Sequence, residues 1–361
     1  MLTPRIEIDL EKIAFNTRHL ITFFSLKGIS IIAVTKAVNG NTRVAKTLVE
    51  NGIKILADSR LVNIIKMRRA GIRAEYMLLR TPFLSQAKET VEFTDISLNS
   101  EISVIRMLSK FALILNKRHK IILMLELGDL REGIMPAEIN RTVEQILKLK
   151  GVELFGIGVN LACFGGIKPT DKNMSYLTFI TEKIESRFGL KLQLISGGNS
   201  ANYEWFKNTE DTGRINNLRL GESILLGRET LYRKPIPKLF TDAFRLIAEV
   251  IEVKKKPSLP YGESGQNTQG NIPEFEDQGI MLRAILGIGL QDITVSGLSP
   301  IDDVEIVGAS SDHLIINSKQ LKLSVGKELS FDINYSALLS AMNSPHIIKK
   351  NKLIYDHKTV L

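Results

Sequence analysis

The chain has 361 residues, 44% hydrophobic and 24% charged, with 48 Lys and Arg against 39 Asp and Glu for a formal charge of +9. That length exceeds one small core and suits a barrel of roughly 250 residues followed by a second domain of about 100. A single cysteine, Cys163, excludes an intrachain disulfide framework and a cysteine metal cluster, while a scattered basic excess with only 6% aromatics gives no nucleic-acid footprint.

The opening "MLTPRIEIDL" lacks the basic and apolar segments of a secretory signal. No window approaches the roughly 18 apolar residues of a membrane span. A cytoplasmic protein with no membrane or nucleic-acid partner is expected. "RIEIDL" (5–10) reads as a strand that precedes the first domain and is a candidate to pair with the second. From residue 29, short apolar strands alternate with amphipathic helices. The strands are "SIIAVT" (30–35), "IKILA" (53–57), "EYMLL" (75–79), "DISL" (95–98), "IILMLE" (121–126), "LFGIGV" (154–159), "LQLIS" (192–196) and "NLRL" (217–220). Such alternation implies parallel βαβ units, and eight of them predict a (β/α)8 TIM barrel over residues 1–230. Beyond residue 230 the runs "AFRLIAEVIEVKK" (243–255), "GIMLRAILGIGL" (279–290), "DDVEIVGASSDHLIINS" (302–318) and "KELSFDINYS" (327–336) are β-rich. They predict a C-terminal antiparallel β domain over 231–361, interrupted by a long polar loop at 262–279.

A barrel of this kind carries its site at the C-terminal ends of its strands. Those ends offer Lys36, Arg131 in "ELGDLREG", Asn160 in "GVNLACFGG", the turn "SGGNS" (196–200) and Arg219 in "LRLGES". A Gly-rich turn entering a helix suits a phosphate, though it also serves as a plain turn. A lysine at a strand tip can snorkel or form an ion pair. Facing a phosphate site, it invites a Schiff base with an aldehyde. The aldehyde cofactor bearing one phosphate is pyridoxal 5′-phosphate, whose ring nitrogen takes an Asp or Arg partner, and Arg219 can supply one.

The stretches "VTKA", "ADSR", "LGDLREG", "GIGVN", "SGGNS", "NLRLGESILLGRET", "KPSLPYGE" and "GASSDHL" together resemble the alanine racemase-type (fold type III) pyridoxal-phosphate enzymes, and within them the ornithine racemase branch. The resemblance implies a barrel, a C-terminal β domain and a head-to-tail homodimer with shared active sites acting on a free amino acid. It places Lys36 as the cofactor lysine and Arg131 at the cofactor phenolate and the substrate. Ser200 and the backbone amides of Gly221 and Glu222 fall at the phosphate, Arg219 at the pyridine nitrogen, and Asn160 where alanine racemases stack a histidine on the cofactor. Tyr261 falls at the second base, donated by the partner subunit, and Asp312 in the C-terminal site loop. Gly40 replaces a phosphate tyrosine and Met124 a lysine that becomes carbamylated; a late phosphate tyrosine has no counterpart near Ala341. These departures argue against simple alanine specificity.

Racemisation needs two opposed bases, and Lys36 and Tyr261 are assigned to them, with His313 the alternative to Tyr261. His19, His119, His346 and His357 read as surface or packing residues. A cationic substrate side chain needs a carboxylate, with Glu263, Asp292 and Asp312 as candidates. Ornithine is the first expectation, then other basic amino acids or alanine. A non-catalytic cofactor carrier would be a barrel alone, and a fold-III decarboxylase would carry glutamate in place of Arg219. An aldolase-like lyase would want a metal, for which the sequence offers no His/Cys pairing.

Overall fold

The computed structural model describes residues 2–266, 270, 272, 274–319 and 321–352. His357 and part of the 262–279 loop lie outside them. The chain divides into two compact units: Glu11–Thr241, and Met1–Leu10 together with Asp242–Leu361.

The first unit is a closed barrel of eight strands: β2 (Ser30–Val34), β3 (Ile55–Asp58), β4 (Glu75–Leu78), β5 (Ile96–Asn99), β6 (His119–Leu125), β7 (Val152–Val159), β8 (Leu194–Ser196) and β9 (Asn217–Leu220). All neighbours are parallel, and β9 closes on β2 with Arg219 opposite Ile32. Strands buried on both faces need continuous apolar runs, and the interior is packed by Ile32, Val34, Ala57, Met77, Ile96, Leu98, Ile122, Met124 and Leu194. Each predicted barrel strand is found within about two residues of its expected place.

The barrel unit runs to Thr241 rather than ending at residue 230, and the first ten residues belong to the other unit. The reason is local. Asn16, on the helix Leu10–Ser25, receives the Phe240 amide on Oδ1 and donates to the Phe240 carbonyl, both at 2.8 Å, while Ile236 N–H bonds the Gly227 carbonyl at 2.8 Å. The segment after β9 is thereby sewn to the barrel's own first helix.

The second unit is an eight-stranded sheet. Its path is β12 (Leu298–Pro300), β15 (Glu328–Ile333), β10 (Phe244–Pro257), β11 (Ile280–Leu286), β14 (Leu314–Asn317) and β13 (Glu305–Ala309). The N-terminal strand β1 (Arg5–Ile8) pairs antiparallel with β10 and parallel with β16 (Ile348–Asn351). Arg5 is 5% exposed and grips Glu328 with two hydrogen bonds, at 2.6 and 2.7 Å, a bidentate geometry that fixes β1 on the sheet. The run expected over 302–318 is a hairpin: Ser310 N–H bonds the His313 carbonyl at 2.9 Å between β13 and β14. The run expected over 327–336 ends as a strand at Ile333, and Asn334 caps a helix over Tyr335–Asn343 by accepting the Ala337 amide at 3.0 Å.

Candidate active site

Strand β2 ends one residue before Thr35, whose N–H bonds the Ala57 carbonyl and whose hydroxyl donates to Asp58 Oδ2, both at 2.8 Å. Asp58 is wholly buried and also accepts the Arg60 amide at 2.9 Å and Asn63 Nδ2 at 3.0 Å. Burial nonetheless raises its carboxyl above the usual range. Clamped in this way, the chain turns at Lys36–Val38 into a short 3₁₀ segment, and the half-buried Lys36 side chain starts from a fixed point. Among the described residues no hydrogen bond or ion pair holds its amine. Burial pulls its pKa below the ordinary lysine value, with Cys163 opposing and Arg131 adding to the pull. At Gly40 a Cβ would lie 2.8 Å from Asn63 Cβ, so the turn after Lys36 has no room for a side chain there.

The loop after β6 doubles back on itself. Glu126 N–H bonds the Ile134 carbonyl at 3.0 Å and Ile134 N–H the Met124 carbonyl at 2.8 Å. Only glycine suits position 133, where φ is +156° and a Cβ would sit 2.5 Å from the Glu126 nitrogen. The buried Glu126 carboxylate gathers the amides of Gly128 at 2.5 Å and Arg131 at 3.3 Å. Within this fold-back, Arg131 pairs with Glu132, Nη2 to Oε1 at 2.7 Å. Glu132 Oε1 also accepts Asn160 Nδ2 at 2.6 Å, and Asn160 Oδ1 accepts Arg219 Nη2 at 2.5 Å. Four residues from three strand ends thus form one chain of charge-assisted hydrogen bonds.

Arg219 is 3% exposed, and its other partners are the Val159 carbonyl at 2.8 Å and the Ser196 hydroxyl. No carboxylate lies within ion-pair distance of it among the described residues. Burial lowers its pKa to about 10, which still leaves it cationic at neutral pH. Asp129, 1% exposed, accepts the amides of Cys163 and Phe164, the latter at 2.9 Å, and so ties the loops after β6 and β7 together.

The turn after β8 approaches the turn after β9. Ser200 Oγ lies 3.0 Å from Ser223 Oγ and accepts the Ser223 amide at 3.3 Å. Gly198 has φ +138°, and a Cβ there would meet Asn202 Oδ1 at 2.4 Å. Gly221 precedes the short helix Glu222–Leu226. The Glu222 side chain is committed to Arg233, Oε2 to Nη1 at 2.5 Å, and burial pushes its carboxyl up to about 7. Its backbone amide is not used by that pair. The turns present hydroxyls and amide donors suited to an anionic group.

Lys36, Arg131, Asn160, Ser200, Arg219, Gly221 and Glu222 all stand at the C-terminal ends of the barrel strands. Tyr261 and Asp312 belong to the other unit. Tyr261 is 91% exposed, and Asp312 lies in the β13–β14 turn, 3.0 Å from His313 Nδ1. Asp292 is buried and accepts the Ser344 hydroxyl at 2.7 Å, a structural role that withdraws it as a substrate carboxylate. Sequence reasoning missed Asp58, Glu126, Asp129 and Glu132. Their signal was a carboxylate at or just past a strand end in "ADSR" and "ELGDLREG".

Comparison with known proteins adds four findings. The family profile "Alanine racemase, N-terminal domain" matches residues 8–228. The chain is 41% identical over 351 residues to ornithine racemase of Acetoanaerobium sticklandii, covering 96% of this chain and 99% of that protein. It is 40% identical to lysine racemase of Thermotoga maritima, covering 97% and 98%. Among solved structures, alanine racemase from Streptomyces lavendulae superposes with a TM-score of 0.75 over 98% of both chains at 17% identity, a likeness of fold.

Proposed function

The chain belongs to the alanine racemase N-terminal-domain family and is an amino-acid racemase; from that premise we propose that it interconverts the enantiomers of a basic amino acid, ornithine first, using pyridoxal 5′-phosphate in the barrel mouth. The observation that carries this reading is the Lys36 amine, which has no hydrogen bond or ion pair among the described residues and feels the Arg131 charge, at a barrel mouth whose other strand ends carry Arg219 and the Ser200 and Gly221 turns. The residues present fit the cofactor: an amine with a lowered pKa for its aldehyde, the Ser200 hydroxyl and the Gly221–Glu222 backbone turn for its phosphate, and, for its ring nitrogen, a buried cation with no carboxylate within ion-pair distance among the described residues. When bound, it supplies an electron sink for loss of the substrate α-proton.

Each of the chain's own groups then has a task. Lys36 Nζ holds the cofactor and, once released, moves the α-proton on one face. Ser200 Oγ and the Gly221 and Glu222 amides hold the phosphate. Arg219 stays protonated and donates to the ring nitrogen without yielding a proton, which weakens the sink and favours reversible proton transfer over bond-breaking side reactions. Arg131 orients the phenolate oxygen and the substrate carboxylate. The partner subunit's Tyr261 moves the proton on the opposite face, in a head-to-tail homodimer. Its 91% exposure within its own unit suits a residue offered to a second copy. Asp312 and Glu263 are the carboxylates assigned to the substrate's distal ammonium.

Ornithine is favoured by one of the two full-length relatives and lysine by the other, and both substrates end in a primary ammonium. Cofactor-loaded protein incubated with single L-amino acids tests the reading by chiral chromatography. D-ornithine formed faster than D-lysine or D-alanine supports it. Turnover of alanine alone refutes the basic-substrate part.

A further inference from the structure

We propose that Glu132 is a positioning residue of the racemase site, its one carboxylate holding the Arg131 guanidinium directly and the Arg219 guanidinium through the Asn160 amide. The inference rests on the proposed roles of Arg131 and Arg219. Its geometric basis is independent of them.

Glu132 stands between the two arginines. It bonds Arg131 Nη2 at 2.7 Å, with a second contact to Arg131 Nε, and accepts Asn160 Nδ2 at 2.6 Å. An amide has one donor end and one acceptor end. With Nδ2 committed to Glu132, the Asn160 oxygen is turned to Arg219, which it meets at 2.5 Å. Reversing the amide would set its oxygen against a carboxylate and its NH2 against a guanidinium. The charge on Glu132 therefore fixes the rotamer of Asn160 and, through it, one edge of Arg219. No other carboxylate side chain contacts either guanidinium among the described residues: Asp129 is spent on backbone amides of the β7 loop and Glu126 on those of Gly128 and Arg131. Met124, in the barrel interior, is apolar and 1% exposed.

The same carboxylate sets a field on Lys36. The charged and titratable groups acting on the Lys36 amine are Cys163, Arg131, Asp58 and Glu132. Of these, Glu132 and Asp58 favour its protonated form and Arg131 disfavours it. Neutralising Glu132 removes one of the groups that oppose Arg131 and shifts the amine towards its neutral form.

Two conservative variants separate charge from reach. Glu132→Gln keeps the length and removes the charge; Glu132→Asp keeps the charge and shortens the arm. Cofactor uptake by cofactor-free protein, followed by absorbance against pH, reports the ionisation of Lys36 without turnover. The expected result is an uptake midpoint that moves to lower pH in Glu132→Gln and is unmoved in Glu132→Asp. KM rises about tenfold in both variants as Arg131 loses its fixed orientation, while the melting temperature stays near that of the parent. A Glu132→Gln protein with the parental midpoint, or with parental KM, overturns the proposal. Lys36→Ala serves as the control for the underlying reading: if that variant still racemises, the reading of the site fails, whereas an inactive Lys36→Ala beside an unaffected Glu132→Gln removes Glu132 alone.

Discussion

The barrel mouth and the outer turns of the β unit both carry residues proposed for catalysis, and they hold them in opposite ways. At the mouth, Arg219 is 3% exposed and bonded on both terminal nitrogens, and Asp58 fixes the residue before Lys36 from a wholly buried position. In the β unit, Tyr261 is 91% exposed and the side-chain partner of Asp312 among the described residues is its neighbour His313, at 3.0 Å. The first set is pre-organised by the chain's own hydrogen bonds, which is what electrostatic stabilisation requires. The second set is proposed to gain its surroundings from a second copy. Within one site, geometry would then come from folding on one side and from assembly on the other.

Lys36→Ala strikes the organised side hardest. Racemisation is expected to fall at least roughly 10²–10⁴-fold, the span typical of a lost acid–base group, with covalent cofactor absorbance lost as well. Tyr261→Phe sharpens the contrast. Inversion is expected to fall roughly 10²-fold, while α-proton exchange persists for the one enantiomer whose proton Lys36 removes, as read by NMR in D2O; equal loss of exchange from both enantiomers would count against a two-base assignment. Ser200→Ala removes one phosphate donor and should weaken cofactor affinity about tenfold, measured by equilibrium titration. The smallest effect on activity belongs to His119, at the far end of β6, where the ring is buried 2.8 Å from Ser97 Oγ and burial lowers its pKa to about 4. Because the folded value lies below the unfolded one, near 6.5, the stability tied to the neutral ring is present above pH 6.5 and lost as pH falls towards 4. His119→Gln should flatten that acid-side decline by on the order of 1 kcal/mol in denaturant titrations, with turnover unchanged.

The same contrast governs what the sequence reveals. Barrel strands are legible because burial on both faces demands unbroken apolar runs, and Lys36 stands out because it ends such a run. Arg219 is legible for the converse reason, as a charge inside "NLRL". The helix Tyr335–Asn343 was hidden because "NYSALLSAMN" joins a strand with no linker, and only the Asn334 cap marks its start. The 302–318 hairpin was hidden because its turn, "SSDH", lacks the Gly or Asn that usually announces one. Glu132 was illegible in a deeper sense. One charged residue beside another in a loop reads as solvated surface, and its role emerges only when the Gly133 fold-back sets it against Asn160 from a different strand. Tyr261 and Asp312 rest on resemblance alone, since no periodicity marks a residue that works in another subunit's site.

The central claim is that the Lys36 amine moves an α-proton of a free amino acid. Incubating the cofactor-loaded protein with L-ornithine in D2O, and following the α-proton by NMR and chirality by chromatography, tests it most directly. The account predicts deuterium incorporation accompanied by D-ornithine, both abolished in Lys36→Ala. Cofactor absorbance that depends on Lys36, with no exchange on ornithine, lysine or alanine, would contradict it.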